Sequence, residues 1–112
     1  MLVVDDDAAS RAMLGLTLRR AGFRVQTASG GDEALERLKA GPFDWLVTDV
    51  QMSPMDGLQL ARRAKELRPR LGVVFISALP LKEGVEGPPA EKMFFKPVPP
   101  VEFVEWLAAA CR

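Results

Sequence analysis

Residues 43–57 read Phe-Asp-Trp-Leu-Val-Thr-Asp-Val-Gln-Met-Ser-Pro-Met-Asp-Gly, and this stretch decides the fold. Trp45-Leu46-Val47-Thr48 is a short apolar run without alternation, followed at once by Asp49 and then by turn formers. A strand buried on both faces has this pattern, because neither of its sides meets water. The pattern recurs: Leu2-Val3-Val4 runs into Asp5, Val73-Val74-Phe75-Ile76 into Ser77, and Met93-Phe94-Phe95 into Lys96. A fifth segment, Phe23-Arg24-Val25-Gln26-Thr27, alternates and is predicted to be an edge strand.

Helical patterns fill the intervals. Residues 8–21 are predicted to form a helix with Asp7 as its N-cap and Gly22 just past its end. Ala9, Met13, Leu16 and Arg20 lie along one side of it, and Ala12, Leu14 and Leu18 widen the apolar face. Residues 31–40 carry Ala34, Leu35 and Leu38 inward and stop at Gly41-Pro42. Residues 57–68 present Leu58, Leu60, Ala61, Ala64 and Leu67 and end before Pro69. A last helix runs from Val101 to about Ala110 with Phe103, Val104 and Leu107 as its core face. Alternating strands and helices predict a doubly wound, five-stranded parallel α/β sheet, since right-handed crossovers place helices on both faces. Residues 79–92 break the pattern with two glycines and three prolines. At ~1 kcal/mol per glycine and ~3 per interior proline, a loop with at most one or two turns is expected there.

The 112 residues fit one domain. Apolar residues make up 48%, enough for a core. Fifteen basic and fifteen acidic residues leave no net charge, so bulk electrostatics predicts neither nucleic-acid nor membrane binding. Histidine is absent, which excludes a histidine triad, a histidine-ligated metal and a histidine phosphoacceptor. The single cysteine, Cys111, cannot form an internal disulfide and reads as a surface thiol. Apolar runs fall far short of the ~20 residues that span a bilayer. Residues 1–4 lead straight into three aspartates rather than a secretory signal, so a cytoplasmic location is expected.

In an open parallel sheet, ligands bind beyond the carboxyl ends of the strands. Asp5, Asp6, Asp49, Ser77 and Lys96 all occupy such ends. Singly, each has an ordinary reading: a helix cap, a turn residue, a solvated lysine. Asp7 already serves as the cap, however, and adjacent carboxylates repel unless a cation neutralises them. Hard oxygen ligands of this kind suit Mg²⁺. Asp49 is then expected to be a nucleophile for a phosphoryl group, with Lys96 as counter-cation and Ser77 as hydrogen-bond donor.

The ordered set Leu2-Val3-Val4-Asp5-Asp6-Asp7, Thr48 to Gly57, Ile76-Ser77-Ala78 and Phe95-Lys96-Pro97 resembles the receiver domain of two-component response regulators, over nearly the whole chain. The resemblance implies a flavodoxin-like sheet of order 2-1-3-4-5. It also implies transfer of a phosphoryl group from the phosphohistidine of a sensor kinase or histidine phosphotransfer protein onto Asp49. By the same resemblance, Asp6, Asp49 and the backbone carbonyl of Gln51 would bind Mg²⁺, Asp5 would hold a metal-bound water, and Ser77 and Lys96 would contact phosphoryl oxygens. Ala78 fits a position that must be small. Gln51 and Leu79 fall at variable positions that modulate water attack, and the apolar Leu79 implies slow self-dephosphorylation.

Three departures stand out. Ser53 occupies the position where proline is usual, with Pro54 following. Met93 stands at a switch position that is usually aromatic, and the interval from Ser77 to Lys96, which normally holds the fourth helix, is short. The acceptor site therefore reads as intact and the signalling face as altered. An interaction module that signals without regulated phosphorylation is the alternative. A haloacid-dehalogenase-type phosphatase is disfavoured, because Gln51 stands where that chemistry wants a second aspartate. The output is a downstream protein or a fused effector, and the chain is either free-standing or part of a longer one.

Overall fold

The computed structural model describes residues 1–78 and 90–111. Its strands are β1 (Leu2–Val4), β2 (Gln26–Ala28), β3 (Trp45–Asp49), β4 (Gly72–Ser77) and β5 (Lys92–Phe95). They form a parallel sheet in the order β2-β1-β3-β4-β5, as expected. The helices are α1 (Ala8–Arg20), α2 (Gly31–Ala40), α3 (Gly57–Leu67) and α4 (Pro100–Ala110). Most of the interval expected to be a loop, residues 79–89, lies outside the described residues, as does Leu79. No helix among the described residues is long and apolar enough to cross a membrane.

Strand alternation sorts the interior into two cores. Leu2, Val4, Leu46, Val73 and Phe75 face α2 and α3, where Ala34, Leu38, Leu60, Ala61 and Ala64 cover them. Val3, Val47, Val74, Ile76 and Phe94 face the other way, under Leu14 and Leu18 of α1 and Phe103 and Leu107 of α4. Each central strand is thus apolar on both sides, which is why its sequence shows no alternation. Edge-to-face pairs of Trp45 with Trp106 and of Phe94 with Phe103, with ring centroids 5.6 and 5.3 Å apart, fill the second core.

Two expectations need correction. The edge strand begins at Gln26 rather than Phe23. Phe23 is taken up in ending α1: its N–H donates to Leu18 O at 3.1 Å while that of Gly22 donates to Arg19 O at 3.0 Å. This is a Schellman cap, with Gly22 at φ 96° supplying the left-handed residue, and Phe23 packs into the same core as Leu18. The second correction concerns α1. The side carrying Ala9, Met13, Leu16 and Arg20 faces solvent, and Leu14, Gly15 and Leu18 form the buried stripe. Apolar residues surround this helix, so periodicity could not choose its inner face, and packing on Val3 and Phe103 does. In the other helices the expected residues face inward, though Leu35, Leu58 and Val104 are half-buried and Leu67 is 36% exposed.

The start of β5 is held by a side chain. The Glu91 N–H donates to Val73 O at 2.9 Å, and Glu91 Oε2 accepts from the Val73 N–H at 2.5 Å. Glu91 Oε1 also pairs with Lys65 Nζ of α3 at 3.1 Å.

At α2, Gly30 has no side chain to cap the helix, and Glu33 compensates. It accepts from the Ser29 N–H at 3.0 Å and the Ser29 hydroxyl at 2.8 Å, and pairs with Arg37 at 3.2 Å. The Ser29 backbone bond, then its hydroxyl, then Arg37 hold the Glu33 carboxyl down at about 2, from an ordinary 4.5. Because this pKa is depressed, the carboxylate stabilises the fold above pH 4.5, and the contribution is lost as the pH falls through about 2. Glu33 is well exposed, and solvent screening reduces its worth to about 0.5 kcal/mol. Glu33→Gln is accordingly expected to lower Tm slightly at pH 7, and the difference from wild type to shrink towards pH 2 in thermal melts.

Candidate functional site

Asp5, Asp6 and Asp7 follow β1 and do three different jobs. Asp7 caps α1, accepting from the Ser10 N–H at 2.8 Å. Asp5 is fully buried. Its Oδ1 accepts from the Asp7 N–H at 2.9 Å, its Oδ2 lies 3.3 Å from Lys96 Nζ, and its backbone carbonyl accepts from Arg11 Nη1 at 2.8 Å. Asp6 is exposed.

Asp49 ends β3 and is 4% exposed. The chain beyond it is fixed by the Val50 N–H donating to Ile76 O at 2.9 Å and the Gly57 N–H donating to Val50 O at 2.9 Å. Gly57 is required by this approach: a Cβ there would overlap the Asp49 carbonyl oxygen and stand 2.9 Å from Val50 Cα. Asp56 opens α3 with a reciprocal capping box to Gln59, at 2.8 and 3.2 Å. Between these anchors Met52 and Met55 are buried, so the loop is tied to the core even with Ser53 preceding Pro54. Met93, at the position noted for its lack of an aromatic, is half-buried against the α2–α3 core.

Lys96 follows β5. Its N–H donates to Ser77 O at 2.8 Å, which extends the ladder and aims the side chain at the acids. Nζ lies 3.5 Å from Asp49 Oδ2 and 3.3 Å from Asp5 Oδ2. Ser77 is fully buried at the end of β4, and its hydroxyl meets the side-chain amide of Gln51.

The electrostatics are those of an acidic pocket short of positive charge. Burial raises the Asp49 carboxyl above its ordinary range; Asp5 and, less strongly, Asp6 add to this, and Lys96 opposes it. Burial pulls Lys96 down, but Asp5 and Asp49 outweigh it and the net shift is upward. Ligand oxygens of Asp5, Asp6 and Asp49 lie within 4.8 Å of one another. Asp49 Oδ1 is buried with no hydrogen-bond partner among the described residues. A buried carboxylate oxygen with no donor, among clustered acids, fits a hard divalent cation.

All five strand-end residues named from the sequence therefore meet on one rim. Sequence reasoning missed three supports. Arg11 and Gly57 look like an ordinary helix residue and a helix start, and only the folded chain reveals what they approach. Gln51 enters the sequence reading only through its backbone carbonyl and its place at a variable position, while its side chain bonds across to the end of β4.

The family model of the response regulator receiver domain matches residues 1–108. The response regulator receiver protein CpdR of Brucella abortus (strain 2308) is 39% identical over 100 residues, covering 87% of this chain and 83% of that protein. The transcriptional regulatory protein ZraR of Escherichia coli (strain K12) is 37% identical over 78 residues, 70% of this chain but 18% of that longer protein. Among solved structures, a response regulator receiver protein from Pseudomonas putida superposes with a TM-score of 0.86 at 28% identity, covering 96% of this chain and 93% of that one. The chemotaxis protein CheY4 of Vibrio cholerae gives 0.85 at 26% identity, with coverages of 96% and 94%. The chain belongs to the receiver domains of two-component response regulators, a family of signalling phosphoacceptors.

The crowded acids carry a stability cost. Asp49→Asn removes one of the like charges without changing shape and is expected to raise Tm by about 3–6 °C in chelator-treated protein, corresponding to roughly 1 kcal/mol. Lys96→Met removes the cation that reaches both the Asp5 and Asp49 carboxylates and is expected to lower it. Thermal melts of both variants check the pair, and a destabilised Asp49→Asn would contradict this electrostatic reading.

Proposed function

We propose that the chain works as one phosphoacceptor domain in the cytoplasm, in which Asp49 takes a phosphoryl group from a phosphohistidine on a sensor kinase or histidine phosphotransfer protein. The observation that carries this reading is the buried Asp49 carboxylate, with Lys96 Nζ at 3.5 Å and one oxygen without a donor among the described residues. An Asp49 oxygen attacks phosphorus, the new O–P bond forms as the P–N bond breaks, and the imidazole leaves with the bonding pair. Lys96 neutralises the entering phosphoryl charge, and the Ser77 hydroxyl and Ala78 N–H donate to its oxygens. Asp6, Asp49 and the Gln51 backbone carbonyl would hold Mg²⁺, with Asp5 behind them. When bound, the ion supplies further charge neutralisation at the phosphoryl group. The phosphorylated domain then acts on a downstream protein or a fused effector.

The donor must bring its imidazole to this rim, and the surface beside it suits a protein. A groove of about 410 Å³ between α1 and the start of α4 is lined by Met13, Leu14, Lys96, Pro97, Val98 and Phe103. Met13 is 63% exposed at its edge, and Val101 near the start of α4 is 69% exposed. A helix of the donor protein seated here would cover apolar surface and place its histidine near Lys96.

Incubation with a small phosphodonor and Mg²⁺ is expected to add one phosphoryl group by mass spectrometry, with none on Asp49→Ala. Absence of any Asp49-dependent adduct would favour the interaction module instead. Met13→Glu is expected to slow transfer from a phosphorylated histidine protein at least tenfold. The same variant should keep its rate with the small phosphodonor, which needs no docking surface. Equal slowing of both would reject the groove as the docking site.

A further inference from the structure

Gln51 engages both donors at the end of β4. Its Oε1 accepts from the Ala78 N–H at 3.0 Å and from the Ser77 hydroxyl at 3.2 Å, and its Nε2 donates to Ser77 Oγ at 2.9 Å. The orientation of the amide follows from Ala78: a backbone N–H only donates, so the atom facing it is the carbonyl oxygen. Gln51 stands two residues beyond Asp49, and Asp49 pairs in register with Ile76, the residue before Ser77. The amide therefore bridges from the Asp49 loop to the strand end that a phosphoryl group on Asp49 would have to address.

The two ends of this bridge differ. Ser77 is buried and fixed in a central strand, whereas Gln51 is exposed on the loop. If the bridge opens, the Gln51 amide can be satisfied by water, so the side chain rather than the strand is the movable partner. A hydrogen of the Ala78 N–H or the Ser77 hydroxyl that is held by Gln51 Oε1 is not available to a phosphoryl oxygen, because each makes one good bond at a time.

We infer that the Gln51 side chain is a latch: a positioning residue that occupies the Ser77 hydroxyl and the Ala78 N–H in the resting domain and must release them when Asp49 is loaded. The latch rests on the phosphoacceptor reading above. It biases the domain towards its resting arrangement, since the apparent affinity for any phosphoryl group falls by the fraction of molecules in which the donors are free. It differs from a static surface contact in that its removal should favour the loaded state.

Gln51→Met, of similar length and without hydrogen bonds, and Gln51→Glu, which keeps an acceptor facing Ala78, separate these cases. The exposed position lets both variants fold. Amide exchange at Ala78, followed by NMR in the resting protein, is expected to be at least about fivefold faster in Gln51→Met and near wild type in Gln51→Glu. Beryllofluoride with Mg²⁺ is expected to bind Gln51→Met about three- to tenfold more tightly than wild type. Unchanged Ala78 exchange in Gln51→Met would overturn the latch, as would faster exchange with no gain in beryllofluoride affinity. Failure of wild type and variants alike to bind beryllofluoride would overturn the phosphoacceptor reading itself, and the Ala78 exchange rates would still report whether the bridge exists.

Discussion

The ammonium of Lys96 between the buried carboxylates of Asp5 and Asp49 is the constraint on which the rest of the structure depends. Removing charges from water costs several kcal/mol per ion, and here the acids outnumber the cation. A chain selected for stability alone would place apolar residues at these strand ends, as it does just before them at Val4 and Val47. The arrangement survives because the sheet places β1, β3 and β5 so that one lysine reaches two strands that are not its neighbours. The parallel order is thus more than architecture. It is the means by which charges distant in sequence compensate each other.

Around this trio the molecule divides into a fixed side and a movable side. The acids are held through the backbone: Asp5 by the Asp7 N–H and by Arg11 on its carbonyl, Asp49 by the close approach of Gly57 and the Val50 ladder bond. Such contacts leave little freedom, and preorganised charge is most effective when it need not rearrange. The Ser77 hydroxyl and the Ala78 N–H at the end of β4 instead donate to a side chain on an exposed loop. A site that must both accept a group and report its arrival needs this asymmetry, since a wholly rigid site could not pass the event on.

Much of this was legible in the sequence, because burial on both faces writes uninterrupted apolar runs and the residue ending each run must lie on the same rim. Asp5, Asp49, Ser77 and Lys96 followed directly from that rule. Phe23 did not: its alternating neighbourhood resembles a strand, while the Schellman cap after α1 claims it for the helix end. Met13 was misplaced because α1 is apolar on several sides, and only tertiary packing separates a core methionine from one at a surface groove. The Gln51 side chain was illegible for another reason. An amide can bond almost anywhere within reach, and what it reaches is set by β4, a strand more than twenty residues away in sequence.

Glu91 has a consequence for how Lys96 is placed. Its backbone and carboxylate together hold Val73, and Lys65 holds it from α3, so the register of β5 is set at its own first residues. Lys96 lies five positions further along, and its reach to Asp5 and Asp49 is measured from that anchor. The position of the lysine is thus set from within this end of the sheet, by a side chain that bonds across to β4 and α3.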